Sequence, residues 1–123
     1  MNSRADKVLI YHSSTGVTRR VAEPLGGIPL SDYDGESEYI LLFPSYGSPR
    51  TGGYVPHRVL DFLEEHSDNM VAVVGLGNIT FGRDFCFGAE MVSERYGVPL
   101  LAKIDMVIAE SERRIIQRHL EGA

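Results

Sequence analysis

Apolar residues fall along the chain in two rhythms. Four runs are continuous and rich in β-branched or aromatic side chains: Lys7 to Tyr11, Tyr39 to Phe43, Met70 to Gly75 and Leu100 to Val107. Runs of that length and make-up predict strands buried on both faces. A fifth run, Gly27 to Leu30, is short and predicts an edge strand. Between the strands the spacing turns helical. Thr18 to Leu25 places Val21, Ala22 and Leu25 on one face, and Pro24 with Gly26-Gly27 closes the segment early. Val55 to His66 sets Val59, Leu60, Phe62 and Leu63 opposite Asp61, Glu64 and Glu65. Asp84 to Tyr96 carries Ala89, Val92 and Tyr96, with Gly97 as its stop and Pro99 just beyond. The last pattern, Ser111 to Leu120, predicts burial of Ile115, Ile116 and His119 or Leu120, with Arg113, Arg114 and Arg118 exposed.

Strands that alternate with helices predict an α/β fold with a parallel sheet covered on both faces. The link between the edge strand and the next strand, Ser31 to Glu38, is acidic and too brief for a helix, so the helix between strands 2 and 3 is missing. The expectation is a doubly wound parallel five-stranded sheet in the flavodoxin-like order 2-1-3-4-5. Ligands of such sheets sit beyond the carboxyl ends of the strands, where the strand order reverses. The first strand ends there, at Tyr11.

Composition narrows the function classes. A chain of 123 residues makes one domain with a core, here residues 1–123, and is too short for two. An apolar fraction of 43% and a charged fraction of 24% are ordinary for a globular protein. A formal charge of −5 speaks against nucleic-acid binding, which draws on basic contacts to phosphate. No segment has the length to span a bilayer, and Met1 to Asp6 lacks the apolar stretch of a signal peptide. The single Cys86 cannot form an internal disulfide, which fits a reducing cytosol and a cytoplasmic setting.

If the sheet is parallel, three loops open on one edge. The first is Ser13-Ser14-Thr15-Gly16-Val17-Thr18, with four side-chain hydroxyls, one glycine and no lysine or arginine before Arg19. It reads as a cradle in which neutral donors and a helix start hold a phosphate. The second runs from Pro44 and Ser45 through Tyr46 and Gly47 to Tyr54, and its tyrosines are suited to a flat ring. The third, Gly75 to Gly82, has glycines that admit close backbone approach and Phe81 near its tip. A phosphate at one end and aromatics at the other describe a nucleotide-like ligand with a planar head. Each loop also has a plainer reading: hydroxyls after a strand cap helices, and loop tyrosines pack. Gly75-x-Gly77 lacks the third glycine of a dinucleotide fingerprint, and no G-x-x-x-x-G-K-[ST] occurs. Cys86, between Phe85 and Phe87, reads as a packing thiol before a reactive one. His12, His57, His66 and His119 show no metal-ligand spacing, so no protein-bound metal is expected. Asp32, Asp34, Glu36 and Glu38 read as a solvated acidic loop.

Leu9 to Leu25 matches the flavodoxin phosphate-loop pattern through Ser13, Gly16 and Thr18, then Ala22 and Leu25. Gly77-Asn78-Ile79-Thr80-Phe81-Gly82-Arg83-Asp84-Phe85 and Ser93 to Lys103 resemble the NrdI family of small flavodoxin-like proteins, over nearly the whole chain. The resemblance implies an FMN cofactor and a class Ib ribonucleotide reductase small subunit as partner. In that family reduced flavin reacts with dioxygen and supplies superoxide to the partner's dimanganese centre, so that a tyrosyl radical forms. A flavin reductant that the sequence does not identify is implied as well. Mapped here, Ser13, Ser14, Thr15, Gly16, Val17 and Thr18 hold the phosphate. Ser45, Tyr46 and Gly47 flank the ring on one side, Gly77, Asn78, Phe81 and Gly82 on the other, and Phe85 and Cys86 back the pocket. No side chain need act as acid or base, so the chain reads as an accessory flavoprotein. Arg50, Arg83 or Lys103 near the ring would oppose the acidic field of the protein, and Gly75 and Gly77 are expected to permit a redox-linked peptide flip. Three departures stand out: Val17 where the family commonly has asparagine, Ile104-Asp105-Met106-Val107-Ile108 in place of Glu-Leu-x-Gly, and a second loop longer and richer in Tyr and Arg than in the shortest members. The alternatives are a general flavodoxin-type electron shuttle and a cofactor-free interaction module.

Overall fold

A computed structural model describes residues 7–45, 55–78 and 85–122. Its five strands are β1 (Val8–Tyr11), β2 (Ile28–Pro29), β3 (Tyr39–Pro44), β4 (Met70–Gly77) and β5 (Leu100–Asp105). They form one sheet in the order β2-β1-β3-β4-β5, with every neighbouring pair parallel. The helices are α1 (Val17–Ala22), α2 (His57–His66), α3 (Phe87–Tyr96) and α4 (Glu110–Leu120). This is the doubly wound arrangement that the alternation of patterns predicts.

The continuous apolar runs make sense because the sheet is covered on both faces, so alternate residues go to different cores. Leu9, Tyr11, Ile40, Leu42, Ala72 and Val74 meet Val21 and Ala22 of α1 and Ile116 of α4. Ile10, Tyr39, Leu41, Phe43 and Val73 meet Val59, Phe62 and Leu63 of α2, with Ala89 and Val92 of α3. All six residues of β3 are buried, as befits the central strand. Helix α1 is short because the chain tightens into a 3-10 turn at Glu23–Leu25, and Gly26, at φ 79°, donates its N–H to the Glu23 carbonyl.

The expected boundaries and faces shift, most clearly at Leu60, at Ile115, at the end of β5 and at the start of α3. Leu60, expected in the core, is 43% exposed and lies with Met91 along a shallow groove between α2 and α3. Ile115 is 39% exposed, because α4 turns Ile116 instead into the sheet. Strand β5 stops at Asp105 and not at Val107: Met106 takes a left-handed φ of 63° and donates its N–H to the Gly77 carbonyl at 2.9 Å. Val107 is thereby turned outward, 77% exposed. The third helix begins at Phe87, after a left-handed Cys86 at φ 55°, and not at Asp84.

The helix between β2 and β3 is indeed absent. A 3-10 turn at Leu30–Asp32 leads into a loop, and Tyr33 of that loop fills the vacated place. Its ring packs edge-on against Tyr39, Phe62 and His66 at centroid distances of 5.0, 5.5 and 5.2 Å. The Tyr33 hydroxyl donates to the Ser37 carbonyl at 2.6 Å, and the Asn69 side-chain amide donates to the Glu36 carbonyl and to the Tyr33 oxygen. Asp34, expected to be merely solvated, accepts from the Glu36 and Ser37 N–H groups at 2.8 Å and from the Ser37 hydroxyl at 2.6 Å. Those bonds hold its carboxyl down at about 2.

Candidate functional site

Because every strand is parallel, the segments after β1, β3 and β4 emerge on one edge, and β1 lies where the strand order reverses. The chain leaves β1 at Tyr11, and His12 keeps it in register by donating its N–H to the Leu42 carbonyl at 3.1 Å. Ser13 then accepts the Gly16 N–H on its Oγ at 3.0 Å, closing a tight turn. Gly16 caps α1 at φ 92°, a left-handed conformation that suits glycine, and its carbonyl accepts from Arg20. The turn presents the exposed Ser14 and Thr15 outward, while Thr18 is 1% exposed and anchors the turn from beneath. Val17 is half-buried and packs on the core under α1. The six residues of α1 provide little macrodipole, so hydroxyls and turn amides are what this cradle offers an anion.

Ser13, Ser14 and Gly16 line an open cavity of about 1040 Å³ that runs down beside α2. Tyr11, His12, Arg19 and Arg58 line it as well. Burial first, and the Arg58 charge second, push the His12 imidazole below its ordinary 6.5, so it is neutral at pH 7. Arg19 is tied to Glu23 of its own segment at 2.7 Å. The residues of this wall that sequence reasoning missed are His12 and Arg58. Arg58 had one available signal: a helix that follows the second loop must start on the same edge as the first.

The ends of β3 and β4 lie side by side, with Pro44 paired to Leu76. Ser45, 1% exposed, donates its N–H to the Leu76 carbonyl and accepts the Gly88 N–H on its Oγ, both at 2.9 Å. It therefore joins the end of β3 to the start of α3. Gly77 closes β4, with space for a Cβ limited by Cys86 Sγ, Phe85 Cδ1 and the Ser45 carbonyl, each at 3.4 Å. Asn78 follows, half-buried, and Phe85 is half-buried behind the same strand end. Cys86 is fully buried, and burial pushes its thiol up to about 12, the packing role expected of it. Tyr46, Gly47, Phe81 and Gly82 lie outside the described residues, as do Arg50 and Arg83.

The flip expected at Gly75 is corrected. Gly75 sits within β4, paired to Phe43 and Lys103, so its peptide is fixed by the sheet and has no room to flip. Its glycine identity is explained by α3, whose Ala89 and Cys86 Cβ atoms would stand 2.8 and 2.9 Å from an added methyl. At Gly77 a flip of the following peptide would give up the Met106 hydrogen bond. Lys103, expected as a cation for the ring, is engaged by Glu90 of α3.

Among the described residues no group of three or more His, Cys, Asp and Glu side chains is placed to hold a metal, and no helix is long and apolar enough to cross a membrane. The turn fits a phosphate: it has outward hydroxyls, a left-handed glycine and a cavity in front.

Comparison with known proteins agrees with this geometry. The chain is 35% identical over 118 residues to the protein NrdI of Mycobacterium leprae, covering 85% of this chain and 86% of that one. It is 34% identical over 110 residues to NrdI of Wigglesworthia glossinidia brevipalpis, covering 81% and 78%. In fold it is similar to a short-chain flavodoxin associated with a PDU bacterial microcompartment, with a TM-score of 0.66, 20% identity and 95% of each chain covered. The family model described as NrdI flavodoxin-like matches residues 9–117, and the chain belongs to that family.

Proposed function

We propose that the chain binds FMN on the edge formed by β1, β3 and β4, and that it serves as the flavoprotein activator of a class Ib ribonucleotide reductase small subunit in the cytoplasm. The observation that carries this reading is the hydroxyl turn at the sheet's switch point, stapled from Ser13 to Gly16 and sharing its edge with Ser45 and Gly77. Ser14 and Thr15 donate hydroxyls to the phosphate, the Ser13 O–H remains free to donate while its oxygen holds Gly16, and Gly16 lets the backbone approach closely. Val17 and Thr18 support the turn from the core side. At the other end Gly77 and Asn78 border the ring, with Tyr46, Gly47, Phe81 and Gly82 as its remaining neighbours. Ser45, Phe85 and Cys86 form the packed wall behind it. Bound and reduced, FMN supplies the electron that turns dioxygen into superoxide, the oxidant for the partner's dimanganese centre. The protein's part is to hold the cofactor, keep the protonated Cys86 thiol inert, and leave the edge open to dioxygen, to an as yet unidentified reductant and to the small subunit.

Titration with FMN, followed in the visible spectrum, tests the binding half of this reading. Ser13→Ala and Thr15→Ala should each weaken FMN by about 1.5–3 kcal/mol, roughly ten- to a hundredfold. Unaltered affinity in both variants contradicts the phosphate assignment.

A further inference from the structure

The sequence offers the cradle no positive charge before Arg19, and Arg19 is held by Glu23. The fold supplies one from elsewhere. Arg58 stands in the first turn of α2, on the wall of the cavity that Ser13, Ser14 and Gly16 also line. It makes no ion pair among the described residues, although Asp61 and Glu65 share its helix and its cavity. Direction sets Glu65 apart from it. Helix α2 follows a parallel strand, so it starts at the carboxyl edge and runs back toward the other end of the sheet, where the His66 carbonyl accepts from the Tyr39 hydroxyl at 2.7 Å. At about 1.5 Å per residue, Glu65 lies some ten ångströms further from the edge than Arg58. Arg58 thus stands at the mouth beside the hydroxyl turn, with Asp61 about one helical turn behind it and Glu65 deeper. Across that mouth His12 is close enough to feel the arginine's charge.

We propose that Arg58 is the counter-charge of the cofactor's phosphate, a guanidinium brought to the hydroxyl turn by α2. This rests on the FMN reading above. A dianionic phosphate facing neutral donors alone would meet the field of a protein of net charge −5, and one forked guanidinium answers that field locally with charge-assisted hydrogen bonds. It also assigns the chain a preference for FMN over riboflavin, which has the same ring and no phosphate.

The test compares the two flavins. FMN and riboflavin are titrated into wild type, Arg58→Gln and Arg58→Lys at low and high salt, with the phosphorus NMR shift of bound FMN as a second readout. Arg58 is exposed, so both variants should fold. Arg58→Gln should weaken FMN about tenfold, leave riboflavin unchanged within about twofold, flatten the salt dependence of FMN binding and move the phosphorus signal. Arg58→Lys should recover part of the loss. Equal weakening of both flavins, or no weakening of either, overturns the assignment while leaving FMN binding in place. A wild type that takes up neither flavin overturns the FMN reading, and this one with it.

Discussion

A methyl group added at Gly75 would stand 2.8 Å from the Ala89 Cβ, 2.9 Å from the Cys86 Cβ and 3.1 Å from the Cys86 sulfur. All three belong to the start of α3, which is clamped to β3 through Ser45 and Gly88, so little can give way. Gly75→Ala should therefore cost about 1–3 kcal/mol in a denaturant melt, as overpacked cores do, and should disturb the packing of α3 on β4. Wild-type stability in that variant contradicts this packing. Residues of this kind divide sharply by how far their meaning is local. Ser13, Gly16 and Thr18 were legible because turn, cap and hydroxyls sit within six positions. Cys86 was legible as a packing thiol from its aromatic neighbours. His12 and Arg58 were not, since their relation to the turn is made by a cavity wall that joins residues 46 positions apart. Gly75 misled for the opposite reason: a glycine signals permissiveness, and here it records the absence of room.

The element that gives this fold its trimmed character is the loop that replaces a helix. Tyr33 plugs the gap against Tyr39, Phe62 and His66, and Asp34 closes the loop with three hydrogen bonds to Glu36 and Ser37. The carboxyl titrates at about 2 in the folded protein against an ordinary 3.8. A depressed folded value means that the contribution is complete above 3.8 and is lost as pH falls toward about 2. Acid unfolding of the wild type should accordingly steepen between those values, and Asp34→Ala should lose that part of the acid dependence. The same variant should speed hydrogen exchange at the Glu36 and Ser37 amides at neutral pH. An acid limb of identical shape in both proteins contradicts the role given to Asp34. Sequence pattern revealed that the crossover is helix-free, because Ser31 to Glu38 is too short and too polar. The aromatic plug was hidden, since a lone tyrosine in an acidic loop has no periodicity to betray its face. Amphipathic faces were also legible only to within a residue: Leu60 and Ile115 fit the apolar stripe and still lie outside, because each stripe is wider than the contact its helix makes.

At the scale of the molecule, order 2-1-3-4-5 is expected from five apolar runs, one of them short, and the helices between them, since a parallel sheet with right-handed crossovers leaves few other arrangements. The same topology brings the hydroxyl turn, Ser45 and Gly77 to one edge, as reading the three loops together predicts for a parallel sheet. The turn after β5 adds a feature to that edge: Met106 is bonded to Gly77, and Val107 projects beside it as an apolar knuckle. The proposed activator role needs a flavin on this edge within reach of dioxygen and of the small subunit. The direct measurement is to reduce the FMN-loaded protein anaerobically, mix it with a manganese-loaded class Ib small subunit, admit dioxygen and follow the tyrosyl radical by electron paramagnetic resonance. The activator reading predicts a radical well above that formed with free reduced FMN and dioxygen. A radical yield no higher than that control contradicts it.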